Sequence, residues 1–342
     1  MDVVVVGGGI AGMSVAHGLA TSGARVNVTV LAPGSGHSRR AVGIVSAQFR
    51  DPDLSGLALR SQAMLRDLVP VHVCGLTQLA LSAAAAESLD SLPTACDGLP
   101  GVLEKALAPA FRQRIVRAVF ASEDLWLDAE ATLLALAAGS RTVQGRALSV
   151  APHRVDYAGG TLEGDAVVVA RGPGGPLPRV GAPRRTLRRA LLARSRLALE
   201  SMFRVVDTRV YGRPDSDGSL LGDGDRLFSG RDPGAAVRPD RAFLARMCGE
   251  LSEMFGTHVG CTPAGGGVIE KSDDDRPFIE RQEGILVFGG LGAEGFALAP
   301  ALGERIARAL VEGTDITDLN DALAAGPDLA AALMSPNSDE PC

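Results

Sequence analysis

The sequence predicts an α/β protein in two parts: a doubly wound domain around a parallel sheet, and an inserted α+β domain that is mainly antiparallel. Three observations predict it. Asp2-Val-Val-Val-Val6 is an apolar run that meets three glycines, then a helical pattern, then a second apolar run at Val26–Leu31. That is a βαβ unit, and it opens the chain. Two later runs, Gly164-Asp-Ala-Val-Val-Val-Ala-Arg-Gly172, which ends in glycine, and Ile285–Phe288, which a glycine loop follows, are also short and unalternating, as strands buried on both faces are. From about 183 to 265 the strand–helix rhythm breaks, which marks the insert.

The elements follow in order. Ile10, Met13, Ala16, Leu19 and Ala20 stand at helical spacing over 10–22, and Gly23 ends that helix. Residues 33–50 are a loop rich in Gly, Ser and Arg, and Leu54–Leu68 reads as a helix. The stretch 70–125 shows no clear period. Ala129–Ala138 is helical, and Thr142–Val150 and Arg154–Tyr157 are short β segments. The insert carries β runs at Phe203–Tyr211 and Gly218–Gly222 and a helix near Arg241–Phe255. After Ile285–Phe288 come a glycine loop and a helix from about Pro300. The expected division is 1–75, 130–180 and 266–325 for the first domain, 76–129 and 183–265 for the second, and a polar tail at 326–342.

Composition excludes several classes. The 342 residues are 46% apolar, enough for a sizeable core. The formal charge is −6 and no long stretch is basic, which argues against a nucleic-acid partner. Of the 34 basic residues only Lys105 and Lys271 are lysine, so arginine is abundant and a lone arginine is a weak pointer. The five cysteines are scattered without a CxxC pair, which predicts a reduced, cytoplasmic protein with no disulfide framework and no cysteine-based zinc site, and no metal is expected. A first strand at Asp2 leaves little room for a targeting peptide. Glycines 7–9, Ser14 and His17 break the N-terminal apolar run, so no membrane span is expected there.

Gly7-x-Gly9-x-x-Gly12 follows a strand and opens a helix, the context that gives this pattern meaning. The first glycine permits a tight turn, the second lets backbone approach a pyrophosphate, and the third lets helix and strand pack closely. Free amides and the helix dipole then face the phosphates, with Ile10 and Ala11 in the first turn. The motif alone does not separate FAD from NAD.

Four segments do. They are Val3-Val-Val-Val-Gly-Gly-Gly-Ile-Ala-Gly12; Ser38-Arg-Arg-Ala-Val-Gly-Ile44 with Leu57-Ala-Leu-Arg-Ser-Gln62; Ala166-Val-Val-Val-Ala-Arg-Gly172; and Asp274-Asp-Arg-Pro-Phe-Ile279 with Gly289-Gly-Leu-Gly-Ala-Glu-Gly-Phe-Ala-Leu-Ala-Pro-Ala-Leu-Gly303. In content and order they resemble the FAD-dependent oxidoreductases of the D-amino-acid oxidase superfamily, especially its glycine oxidase and sarcosine oxidase branch. The resemblance implies a Rossmann-type FAD-binding domain with an inserted, mainly antiparallel β substrate domain. It implies an oxidase acting on a C–N bond of an amino acid or an amine, with hydride passing to flavin N5, an imine product and O2 reduced to H2O2. Alternatives are a flavin-dependent dehydrogenase or desaturase of a biosynthetic intermediate, and a non-catalytic FAD-binding protein.

Mapped through that resemblance, the FAD contacts are Gly7, Gly9, Ile10, Ala11, Gly12, Ala32, Pro33, His37, Ser38, Arg39, Val42, Gly43, Ile44, Ala147, Ala170, Gly172, Gly290, Leu291, Gly292, Ala293, Glu294, Gly295, Phe296 and Ala297. Glycines 43, 290, 292 and 295 would let backbone reach the flavin. The helix after Pro300 would aim its N-terminus at the flavin edge where negative charge develops. His37 and Ser38 read as part of the flavin loop, or as a plain polar turn.

The chain also departs from the family. The acidic residue that usually ends the second strand and holds the adenosine ribose is Ala32, followed by Pro33, which leaves the ribose to backbone or water, or weakens FAD binding. The threonine of the Ala-Thr-Gly motif is Arg171. No cysteine stands near Gly267, where sarcosine oxidases attach the flavin, so the FAD is expected to be non-covalent. The oxygen-assisting lysine falls on Leu220. The positions that hold a substrate carboxylate fall on Ile269, Ala293 and Ala297, none of them basic. A buried carboxylate needs a partner; Lys271 or Arg213 would substitute, or each is a solvated side chain. The candidate catalytic residues are Glu294, Tyr211 and Lys271. Glu294 either binds the substrate ammonium or acts as a base, or it faces solvent and caps a loop. Tyr211 either touches substrate or packs in the core.

Overall fold

Val3 and Val5 point to one face of the first strand, Val4 and Val6 to the other, and all four are buried. A strand apolar on both sides needs cover on both sides, and the architecture supplies it. The computed structural model describes residues 1–34, 36–90, 92–173, 185–224, 226–228 and 238–316. In it, Asp2–Val6 lies inside a six-stranded sheet in the order Phe278–Gln282, Ile285–Gly289, Ala166–Val169, Asp2–Val6, Asn27–Ala32, Arg141–Gln144. All neighbours run parallel except the edge hairpin of Phe278–Gln282 with Ile285–Gly289.

Helices Ile10–Ala20, Pro52–Leu68, Ala129–Leu136 and Gly295–Glu312 share the core on one face. An antiparallel meander, Ala147–Ala151, Arg154–Tyr157 and Gly160–Glu163, covers the other. The single β segment expected at Thr142–Val150 is therefore two strands in two sheets, parted at Gly145. The first and last helices cross closely because two glycines permit it. A Cβ on Gly303 would lie 2.5 Å from the Ser14 backbone, and one on Gly18 would lie 2.9 Å from the Gly303 carbonyl oxygen.

The last helix starts at Gly295, not near Pro300. Proline favours the first helical position, which is what its placement suggests from sequence. Here it sits one turn and a half inside, where its missing N–H removes a helical bond. The next amide, Ala301 N, donates to Ser61 Oγ of the neighbouring helix at 3.1 Å.

Among the described residues the second sheet has nine strands. Its long strand Arg185–Ser195 pairs with Gly218–Gly222 and Arg226–Leu227 on one side and along its whole length with Cys261–Ser272 on the other. The unpatterned stretch 70–125 supplies Leu76–Ala80, Cys96–Asp97 and Arg117–Ala121. One pair is parallel, Leu76–Ala80 with Met202–Val205. The β run expected at Phe203–Tyr211 is a hairpin of Met202–Val205 and Tyr211–Asp215, with Arg209 at φ 61° in its turn. Helix Arg241–Phe255 backs this sheet through Phe243, Met247, Leu251 and Met254. Asp240 caps it by accepting from Phe243 N at 2.7 Å, and Gly256 ends it at φ 66°. The expected boundary at 265/266 falls inside Cys261–Ser272, and the tail at 326–342 lies outside the described residues. Among the described residues no helix is long and apolar enough to cross a membrane.

Candidate active site

The turn after the first strand is built from glycines with separate tasks. Gly7 takes φ 127°, and a Cβ there would lie 2.2 Å from the Ala170 carbonyl oxygen. A Cβ on Gly12 would lie 1.9 Å from the Gly7 oxygen, so that glycine lets helix and strand close together. Gly9 differs: the nearest atom to its Cβ would be Ser38 Oγ at 3.0 Å, and beyond it lies open space. Gly9 is the N-cap of helix Ile10–Ala20, with no side-chain cap and no acidic residue in the first turn. Ser38 Oγ accepts from Ile10 N at 3.1 Å and ties the loop to the helix start.

This turn forms one wall of a cavity of about 690 Å³, within the range of about 300–1,000 Å³ for small-molecule and cofactor sites. Of the positions assigned to FAD, all but Gly12 and Ala297 line it. Those two are packing residues: Gly12 for the reason just given, and Ala297 because it is fully buried in the helical core. Gly290 (φ 71°), Gly292 (φ 56°) and Gly43 (φ 76°) bring bare backbone to the wall. Gly295 and Phe296 also line it, so the start of the last helix, not Pro300, faces the cavity.

The 37–44 loop is clamped to the second sheet. His37 Nδ1 accepts from Val268 N at 3.1 Å and lies 3.2 Å from an Arg40 guanidinium nitrogen. Accepting a backbone N–H puts the ring proton on Nε2. A Cβ on Gly267 would meet this ring at 3.3 Å. Arg213 Nε donates to the Val42 carbonyl at 2.7 Å, and its guanidinium lies 4.0 Å from the centre of the Trp126 ring, which stacks on His72 at 3.9 Å. Asp124 anchors the chain just beyond the loop: it accepts from Ser46 Oγ (2.7 Å), Ala47 N (2.9 Å), Gln48 Nε2 (2.7 Å) and Gln62 Nε2 (3.1 Å). Burial pushes its carboxyl above the usual range, against the pull of those hydrogen bonds.

The wall formed by the second sheet carries the charged groups. Arg204 and Tyr211 sit opposite each other in the hairpin, and Arg204 donates to Glu294 Oε1 at 3.3 Å. Burial raises the Tyr211 phenol well above its ordinary range, with Asp223 and Glu294 acting the same way and Arg204 opposing. The phenol is therefore a neutral donor. A Cβ on Gly222 would collide with the Tyr211 ring at 2.2 Å, so this glycine makes room for the ring.

Glu294 and Tyr211 are thus brought together on the cavity wall. Lys271 is not: it is absent from the cavity wall, and its ammonium pairs with Asp275 at 2.7 Å. It follows Glu270 on a strand, and neighbours on a strand point to opposite faces. Arg213 also stays out of the cavity; it is buried and supports the 37–44 loop from behind. Leu220 is buried off the wall, whereas Ile269 and Ala293 line it. The residues missed are Arg204, Glu270, Arg40, Arg146 and Gln144, all on the wall. Glu270 lies in a strand whose cross-strand neighbour, Leu187, is far in sequence, and Arg204 is one of many arginines, so no local signal marks either. For Arg40 a signal existed, two adjacent arginines inside a loop of small residues.

The cavity fits an anionic dinucleotide. Arg40 Nε is buried on this wall with no hydrogen-bond partner among the described residues. It calls for an acceptor, and a diphosphate beside Gly9 and the uncapped helix would supply one. Cys74, Cys248 and Cys261 are free thiols and none lines the cavity. Among the described residues no group of three or more His, Cys, Asp or Glu is arranged to hold a metal.

A parallel sheet with a glycine turn at its strand ends, facing a second β sheet across a dinucleotide-sized cavity, defines a nucleotide-dependent enzyme. The model of the FAD dependent oxidoreductase family (DAO) matches residues 2–309, and the chain belongs to that family. It is an FAD-dependent oxidoreductase. Among solved structures it is similar to glycine oxidase from Geobacillus kaustophilus (23% identity, TM-score 0.74, covering 94% of this chain and 97% of that one). It is also similar to L-proline dehydrogenase from P. horikoshii (16%, TM-score 0.74, 92% and 94%) and to iminodiacetate oxidase from Chelativorans sp. BNC1 (18%, TM-score 0.71, 92% and 96%). These likenesses bear on the fold. No curated protein matches the sequence significantly.

Proposed function

We propose that the protein is an oxidase of the C–N bond of a free amino acid, primary or secondary, that holds FAD non-covalently and uses O2 as electron acceptor. The observation that carries this reading is the Arg204–Glu294 pair beside Tyr211, on the same cavity wall as the glycine loop 289–295. A cation and an anion 3.3 Å apart are complementary to a zwitterion. Arg204 would take the substrate carboxylate as a charge-assisted pair, with the neutral Tyr211 hydroxyl as second donor. Glu294, released from Arg204, would receive the substrate ammonium and accept its proton, leaving a neutral amine.

FAD, when bound, supplies the electron sink for a hydride from the carbon bearing nitrogen. The chain's own part is positioning and exclusion of water. Gly290 and Gly292 keep side chains from the cofactor's path, and Arg213, His37 and Asp124 fix the loop on the other side. The amine becomes an imine, and water converts it to a carbonyl compound and ammonia, or the released amine for a secondary substrate. Gly267 where a cysteine would attach flavin, with the three free thiols off the wall, supports a non-covalent cofactor. The domain division is proposed along the two sheets.

A second reading, a dehydrogenase that passes electrons to another acceptor, draws on the likeness to L-proline dehydrogenase. The test is the yellow protein itself. Acid precipitation should leave FAD in the supernatant, and amino-acid turnover in air should give one H2O2 per imine formed. Flavin in the pellet would sink the non-covalent reading. Substrate reduction without peroxide would favour the dehydrogenase.

A further inference from the structure

Nucleotide-binding sheets of this kind hold the adenosine ribose with an acidic residue at the end of the second strand. Here that strand ends at Ala32, and Pro33 and Gly34 follow. The adjacent strand runs parallel to it and ends in register: Ala32 stands beside Gln144. The Gln144 side chain reaches to Gly34, two residues past Ala32, since a Cβ on Gly34 would lie 3.1 Å from Gln144 Nε2. Gln144, Gly34, Ala32 and Pro33 all line the cavity. Gly34, at φ 76°, has no side chain to block the reach.

We propose that Gln144, from the neighbouring strand, is the ribose-binding residue of this protein and replaces the acidic group. The inference rests on FAD occupying the cavity. A carboxamide suits a vicinal diol: its oxygen accepts from one hydroxyl while its nitrogen donates to the other oxygen. A carboxylate can only accept. The amide also leaves this end of the cavity without the negative charge an aspartate or glutamate would bring, beside the arginine at 146.

The test uses cofactor-stripped protein titrated with FAD and with FAD whose adenosine lacks the 2′-hydroxyl, following the quenching of flavin fluorescence. The wild-type chain should bind the deoxy analogue about 3- to 10-fold more weakly, the value of one exposed hydrogen bond. Gln144→Ala should weaken FAD by a similar factor and bind the two cofactors equally. Gln144→Glu, which can still accept, should recover part of the discrimination. Equal affinities for both cofactors in the wild type would overturn the inference and leave the FAD reading intact. So would a Gln144→Ala variant that still discriminates. A wild-type chain that takes up neither cofactor would overturn the cofactor reading itself. Circular dichroism of each variant separates lost binding from lost fold.

Discussion

Replacing Gly9 and Gly12 by alanine, one at a time, separates two tasks that the glycine motif merges. Both changes add one methyl group. At Gly12 the methyl would lie 1.9 Å from the Gly7 carbonyl oxygen. Gly7 cannot yield, because it is itself held against the Ala170 backbone. Overpacking of this kind costs about 3 kcal/mol, and at roughly 2 °C per kcal/mol for a chain of this size the Tm should fall by about 6 °C. At Gly9 the backbone is extended, φ −87° and ψ −175°, which alanine adopts freely. The methyl meets only Ser38 Oγ, at 3.0 Å. The structural cost is that of a poorer N-cap, about 1 kcal/mol. The methyl nevertheless projects into the cavity where the diphosphate must approach the helix amides. Losing two charge-assisted hydrogen bonds should weaken FAD by about 100-fold or more. Fluorescence titration of the stripped protein gives the affinity and thermal denaturation gives the Tm. A Gly9→Ala variant with wild-type affinity would refute the placement of the diphosphate, and a Gly12→Ala variant with unchanged Tm would refute the packing argument.

The other predictions follow from the same geometry. Arg204→Met should raise KM for amino acids at least tenfold while FAD content stays at wild-type level; an unchanged KM removes Arg204 from substrate binding. Arg40→Met should weaken FAD several-fold and flatten the salt dependence of binding, read by titration at two ionic strengths. Burial lowers the pKa of His17 below its ordinary value of 6.5, with Glu304 partly opposing. Stability from this source is complete above that value and is lost as pH falls through it toward the folded-state pKa, because the unfolded chain binds the proton first. The Tm of the wild type should drop between about pH 7 and pH 5.5, and His17→Gln should flatten that slope; parallel curves would exclude His17 as the cause. Burial and the neighbouring Cys248 push the Cys261 thiol up to about 12. Iodoacetamide should leave it unmodified under conditions that alkylate an ordinary thiol, as mass spectrometry of the peptides would show.

The parallel sheet was legible because its strands are continuous apolar runs bounded by glycine, and both faces of Val3–Val6 are buried as such runs require. The glycine wall of the cavity was legible for a related reason: glycines at 7, 9, 43, 290 and 292 are visible in a sequence, and all of them line it. The start of the last helix was not, because Pro300 mimics a first-turn proline while Ser61, from another helix, takes the amide that follows it. The substrate end was half legible. Glu294 stands out inside a glycine run, but its partner Arg204 is one of many arginines, and a hairpin and a long-range contact bring it there. Lys271 drew attention as a cation that could replace the missing carboxylate partners, yet a strand alternates its faces, and the register puts Glu270 on the cavity instead. Gln144 was silent for the same reason: its relation to Ala32 exists only through parallel pairing across more than a hundred residues.

The central claim is that Arg204, Glu294 and Tyr211 receive a free amino acid for oxidation by bound FAD. Its most direct test is anaerobic. The flavin-loaded protein would be mixed with amino acids and, in parallel, with the amines that lack only their carboxylate, and the visible spectrum followed. Bleaching by one or more amino acids and not by their decarboxylated counterparts, with the preference abolished in Arg204→Met, is the predicted result. Equal bleaching by both classes, or none by any amino acid, would contradict it.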